Sequence, residues 1–171
     1  HIFPLNGELM TAPRISLFLA SFALAITATV ATATDGETNE LTPVEIWEAD
    51  RTTIFDARDI NLDDFLWIAR PVVVFADTPA DPAFQEQVDL LQERIDELVE
   101  RDVLLITDTS RAELSDVRRK LRPRGFMLTL IGKDGGVKLR KPFPWDVREL
   151  TRSIDKMPLR LQEIRDSTES E

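Results

Sequence analysis

The chain has 171 residues, 21 Lys and Arg against 31 Asp and Glu, and a formal net charge of −10. It contains no Cys and no Tyr, and its one His is residue 1. These absences exclude disulfides, cysteine nucleophiles, Cys/His zinc centres and Ser-His catalysis, while 43% hydrophobic residues are enough for one folded domain.

Residues 15–30 are uncharged and mostly apolar, follow Arg14, and lead into Ala31-Thr32-Ala33. A basic flank, a short apolar run and a small-residue exit make up a secretory signal. The run is shorter than the roughly 20 residues of a membrane-spanning helix. The expectation is a signal peptide over 10–33, cut after Ala33, with Met10 as initiator and 1–9 as upstream sequence. An uncleaved anchor is the alternative. Export would place the protein in the periplasm or outside the cell, with packing alone to hold it together.

Residues 34–58 are polar and read as a flexible lead-in, followed by a domain over 59–166 and a frayed tail over 167–171. Asn61 caps a short helix through Leu62, Phe65, Leu66 and Ile68, with Asp63 and Asp64 favourable in its first turn and Pro71 as its stop. Val72 to Ala76 is a continuous apolar run, the pattern of a strand covered on both faces. Asp81-Pro82 opens a helix whose stripe is Phe84, Val88, Leu91, Ile95 and Leu98. Val103 to Thr107 is a second buried-type strand.

Ser110-Arg111-Ala112-Glu113 has the form of a capping box and predicts a helix through Leu114, Val117 and Leu121. Pro123 and Gly125 end it. Phe126–Ile131 and Val137–Lys141 then form a hairpin around Gly132-Lys133-Asp134-Gly135-Gly136. Pro142 and Pro144 precede a helix with Val147, Leu150, Ile154 and Met157 on one face, and Leu159 to Ile164 adds a short last turn. The order is α-β-α-β-α-β-β-α. Without its first helix this is βαβ-α-ββα, the order of the thioredoxin fold. The predicted class is therefore α/β, a four-stranded mixed sheet with helices on both faces and a short extra helix in front.

The stretch from Arg70 to Arg165 resembles the DUF4174 family. The matching segments are Arg70 to Ala76, Arg101-Asp102-Val103, Leu130 to Arg140 and Ile154 to Arg160. Related domains occur in animal extracellular proteins, including sushi-repeat proteins, and are described as peroxiredoxin-like. The resemblance implies a thioredoxin-like fold outside the cytoplasm, and it implies no activity and no catalytic residues. In thiol-active members of that broad fold the reactive cysteine follows the first strand. Here that turn reads Asp77-Thr78-Pro79-Ala80-Asp81-Pro82. A thiolate is needed for such chemistry, so a fold inherited without it is expected to act otherwise.

Two candidate sites remain. Asp77 and Asp108 lie just past the carboxyl ends of the first two strands, where paired carboxylates would hold Mg²⁺ for hydrolysis. Asp is also a common turn residue. No glycine lies between Gly36 and Gly125, so no phosphate-cradling loop follows the first strand.

Charge gives the stronger signal: residues 111–141 hold ten bases and three acids, net +7. The densest part contains Arg118, Arg119, Lys120, Arg122 and Arg124. Such a cluster on an acidic protein suits an anionic partner of the envelope or extracellular space, although pairing with acids of the same fold explains it too. Nucleic acid is not expected, since no aromatic residues interleave with the bases. No cofactor is expected. Trp47 is read as a cover folding back over the sheet, Trp67 as core and Trp145 as a helix-start residue beside a groove. The leading expectation is a non-catalytic binding module. The alternative is a metal-dependent hydrolase using Asp77 and Asp108.

Overall fold

The four predicted strands pair into one sheet, and a fifth, shorter strand joins them. The computed structural model describes residues 40–170. The expected leader over 10–33, its cleavage point and residues 1–9 lie outside the described residues. The strands are β1 (Ile54–Asp56), β2 (Arg70–Phe75), β3 (Val103–Asp108), β4 (Met127–Ile131) and β5 (Val137–Lys141). They form one sheet in the order β1-β3-β2-β4-β5. β3 runs parallel to β1 and β2, with Val73 opposite Ile106 and Phe75 opposite Asp108. β4 is antiparallel to β2 and to β5.

Successive residues of β2 point to opposite faces. Val73 and Phe75 enter a core with Trp47, Phe65, Leu104, Ile106, Val117 and Leu121. Val72 and Val74 enter another with Leu91, Leu98, Leu105, Leu128, Leu150 and Ile154. Both cores are closed by helices, so every residue of β2 is buried, as its unbroken apolar run requires. One layer holds α1 (Pro43–Ala49), the 3-10 helix Leu62–Phe65 and α4 (Asp116–Leu121). The other holds α2 (Pro82–Glu93), α3 (Ile95–Val99) and α5 (Val147–Asp155). The βαβ-α-ββα order is present, and the expected count of four strands becomes five.

Several local expectations change. The lead-in is not featureless from residue 42 onward. Thr42 and Glu45 close a reciprocal capping box and Pro43 occupies the first turn, so α1 forms and buries Trp47 completely. The helix after Asn61 stops at Phe65 as a single 3-10 segment. Trp67 then adopts φ +64 and is 67% exposed, so it is not a core residue. The long stripe from Phe84 to Leu98 is divided at Arg94 (φ −125) into α2 and α3. A last helix, α6 (Pro158–Glu169), is far longer than the short turn expected and continues through most of the predicted frayed tail.

The β4–β5 turn needs glycine at one position. Gly135 has φ +76, and a Cβ there would lie 2.8 Å from Leu66 Cδ2. Gly136 has no positive φ. Gly135→Val is therefore expected to cost about 1 kcal/mol or more, and Gly136→Val clearly less. Urea midpoints of the two variants check this, and equal shifts would contradict the turn geometry.

Candidate functional site

The parallel pairing of β2 and β3 brings their carboxyl ends together. Ala76 N–H donates to Asp108 O at 2.9 Å, so Asp77 and Asp108 do reach the same edge of the sheet. The structure places an arginine in contact with both. Arg118 Nε and Nη2 each lie 2.8 Å from Asp108 Oδ1. Nη2 also donates to Ala76 O at 2.7 Å and Asp108 O at 2.9 Å. Ser115 Oγ donates to Asp108 Oδ2 at 2.6 Å.

Both carboxylate oxygens of Asp108 are thus engaged, and the group is buried. Of the pair read as metal candidates, Asp108 is engaged by Arg118 and Ser115, and the guanidinium supplies positive charge of the kind a divalent ion would bring. Among the described residues, no group of three or more His, Cys, Asp or Glu is arranged to hold a metal ion.

The same network sets the start of α4. Ser115 Oγ accepts from Arg118 N–H at 2.9 Å while donating to Asp108, so Ser115 caps the helix. Ser110 accepts from Glu113 N–H at 3.2 Å, but the Glu113 carboxylate turns to Arg58 Nη1 at 2.5 Å. The predicted box is therefore left half-made, and the helix begins at Asp116. Arg118 belongs to the interior, only 6% exposed and 5.4 Å over the Phe75 ring. The expectation that it lies on a basic surface is corrected, because a strand-end carboxylate draws it inward.

One nitrogen of Arg118 remains uncommitted. Its Nη1 stands 3.9 Å from Asp77 Oδ1, beyond hydrogen-bond reach. Arg118 lines a shallow depression of about 420 Å³ together with Arg111, Leu114, Arg119, Arg122 and Pro123. Arg111 is exposed and meets Asp77 Oδ2 at 3.3 Å. Arg119 pairs with Asp116 at 2.6 Å, an exposed i,i+3 contact of small worth. Arg122 closes α4 in a left-handed conformation (φ +50) and makes no ion pair among the described residues.

The five predicted bases do not act as one cluster. Lys120 leaves for Asp63, at 3.0 Å, and borders other grooves with Leu62. Arg124 is exposed but does not line the depression. Arg111 and Leu114 take their places. Arg111 was counted in the basic segment but lies seven residues before Arg118, too far along the chain for density alone to single it out.

Guanidinium groups are donors that keep their protons at any physiological pH. With Leu114 and Pro123 beside them, they offer charge, directed hydrogen bonds and a small apolar wall. They offer no nucleophile and no general base. Thr78, in the turn after β2, is exposed and accepts from Ala80 N–H at 3.3 Å. Trp145 is half-buried. Fully buried Gln87 clamps its backbone, accepting from Trp145 N–H at 2.7 Å and donating to its carbonyl at 3.1 Å.

Fold and site together define a five-stranded α/β domain of thioredoxin-like order whose strand-end edge carries arginines. The chain belongs to the family described as a domain of unknown function (DUF4174), whose model matches residues 61–163. No curated protein matches the sequence. Solved structures similar to it include the reduced 2-Cys peroxiredoxin of Plasmodium vivax, at 16% identity and TM-score 0.47, covering 63% of this chain and 85% of that one. Thioredoxin peroxidase I of Plasmodium yoelii is 18% identical with TM-score 0.43, over 63% and 80% of the two chains. The mitochondrial 2-Cys peroxiredoxin of Plasmodium falciparum is 18% identical with TM-score 0.40, over 68% and 90%.

Proposed function

We propose that this protein is an exported, non-catalytic binding module that takes an anionic partner of the envelope or extracellular space at the arginine-lined depression. The observation that carries the reading is the Arg118 guanidinium, buried and fixed by Asp108 where it lines the depression, with Nη1 making no hydrogen bond and standing 3.9 Å from Asp77 Oδ1. A buried cation held by three hydrogen bonds and an ion pair to Asp108 cannot swing away, so the nitrogen that makes none of these bonds is preorganised for a ligand oxygen. Arg111, Arg119 and Arg122 add flexible charge around it. Their planar forks suit carboxylate or phosphate. The long-range field of a protein with net charge −10 repels polyanions, so binding would depend on this local reversal of sign. Export is supported by the sequence of residues 10–33.

The test compares retention of the protein on anionic vesicles, an acidic peptide and a sulfated polysaccharide, at low and high salt. Retention on at least one is expected, weakening as salt screens the contact over about 8 Å at physiological ionic strength. Changing Arg111, Arg119 and Arg122 together to Gln removes three charge-assisted donors and is expected to lower affinity by about a hundredfold or more. Affinity indifferent to salt and to these substitutions would overturn the reading.

A further inference from the structure

A second cationic centre lies at the opposite end of β2, unrelated to the depression. Arg70, the first residue of the strand, is 1% exposed. Its Nη1 donates to Arg101 O at 2.9 Å, and its Nη2 to the two oxygens of Glu163 at 2.9 and 3.0 Å. Lys133, in the β4–β5 turn, lies 2.9 Å from Glu163 Oε1 and donates to Asp102 Oδ2 at 2.8 Å. Arg51 also pairs with Asp102, and Arg160 Nη1 stands 3.4 Å from Glu163 Oε2. Burial opposes charge on Glu163, but hydrogen bonds from Lys133 and Arg70 outweigh it and hold its pKa below the ordinary value. The group is a carboxylate at neutral pH.

Glu163 is carried by α6, and little else fastens that helix. α6 buries none of its residues, and Leu161 and Ile164 are exposed. Arg160 Nε is buried without a hydrogen bond, 3.8 Å from Asp155. Beside Arg70 and Lys133 is a cavity of about 260 Å³ with Trp67, Met157, Pro158 and Leu159 as its apolar wall and the paired Asp134 and Lys138 on its rim. Trp67 stands there exposed, its backbone N–H donating to Lys133 O at 2.7 Å. A left-handed φ is unusual for so bulky a residue.

We propose that the seat formed by Arg70 and Lys133 is a carboxylate-binding site, closed in this structure by Glu163, whose ligand is the carboxyl terminus of a peptide ending in an apolar residue. Arg and Lys side chains are donors only and carry positive charge, so the seat favours an anionic acceptor over a neutral one. Exchange of one carboxylate for another leaves the buried charges balanced, which withdrawal of Glu163 alone does not. The apolar wall of the cavity next to the seat gives the terminal side chain of such a peptide a place that Glu163 does not fill. α6 is the part that yields, since it has the least apolar burial to lose.

N-acetyl-leucine and its amide are the probes, with Glu163→Ala as the opened variant. The variant is expected to bind N-acetyl-leucine about tenfold or more tightly than the unaltered protein, because the internal competitor is gone. The amide should not bind, and Trp67 fluorescence should report the carboxylate. In the unaltered protein, saturating N-acetyl-leucine should speed amide hydrogen exchange in α6 and leave the sheet unchanged. Equal affinity of the two proteins, or equal binding of acid and amide, would overturn the proposal. If Glu163→Ala does not fold, the exchange measurement on the unaltered protein decides: unchanged α6 protection overturns the proposal.

Discussion

Replacing Arg118 by alanine is expected to destabilise the protein by about 3–5 kcal/mol, the cost of leaving a buried charge without its partner. Asp108 would keep hydrogen bonds from Ser115 Oγ and Ser110 N–H but lose the guanidinium, and Ala76 O would lose its side-chain donor. The nearby Arg119→Ala and Arg124→Ala are expected within about 0.5 kcal/mol of the unaltered protein, as for exposed side chains elsewhere. Chemical denaturation of the three variants checks this. Similar small shifts for all three would mean that Arg118 is as solvated as its neighbours, and the rigid cation lining the depression would be lost from the account.

Trp47→Ala is expected to cost about 3–5 kcal/mol, the range for removing a large aromatic side chain from a core. Trp47 is fully buried, meets Phe65 edge-on at 6.3 Å between ring centroids, and carries Arg51 over its face at 4.6 Å. It is the one buried residue of α1, so its loss undoes the docking of that helix. Trp67→Ala, by contrast, removes an exposed ring and is expected to change stability by about 0.5 kcal/mol or less. Urea unfolding followed by far-ultraviolet circular dichroism checks the pair. Equal effects would contradict the burial of Trp47 and return residues 42–49 to a lead-in.

These two tryptophans show where local sequence suffices and where it does not. β2 to β4 were legible because largely apolar runs have few other ways to bury themselves, and β5, more than half of it charged, because the glycine-rich turn folds it back on β4. The parallel approach of Asp77 and Asp108 followed from adjacency of two strands joined through a helix. α1 was missed although Thr42-Pro43-Val44-Glu45 spells a capped start, because the composition around it is polar. Trp67 was misplaced because a helical stripe was extended one turn past the actual stop at Phe65.

The start of α4 could not be chosen locally. Ser110 and Ser115 are both competent caps, and the choice is made by Asp108 from a strand. For the same reason, Arg118 read as one base among five. Its partner is ten residues away, and charge density does not show which member of a cluster turns inward. α6 lacked a signal because it docks through Glu163 onto Arg70 and Lys133, a contact spanning most of the domain that no periodicity encodes.

The central claim is that the arginine-lined depression at the strand-end edge is a ligand site. A nitrogen-15 NMR titration with a short acidic peptide tests it most directly. The predicted result is saturable, salt-sensitive movement of the amides of residues 111–123 and of the Arg118 side-chain nitrogens, with Arg118 Nη1 affected more than the Asp108-bound Nε. Perturbations spread thinly over all exposed lysines and arginines, with the Arg118 signals unmoved, would contradict it.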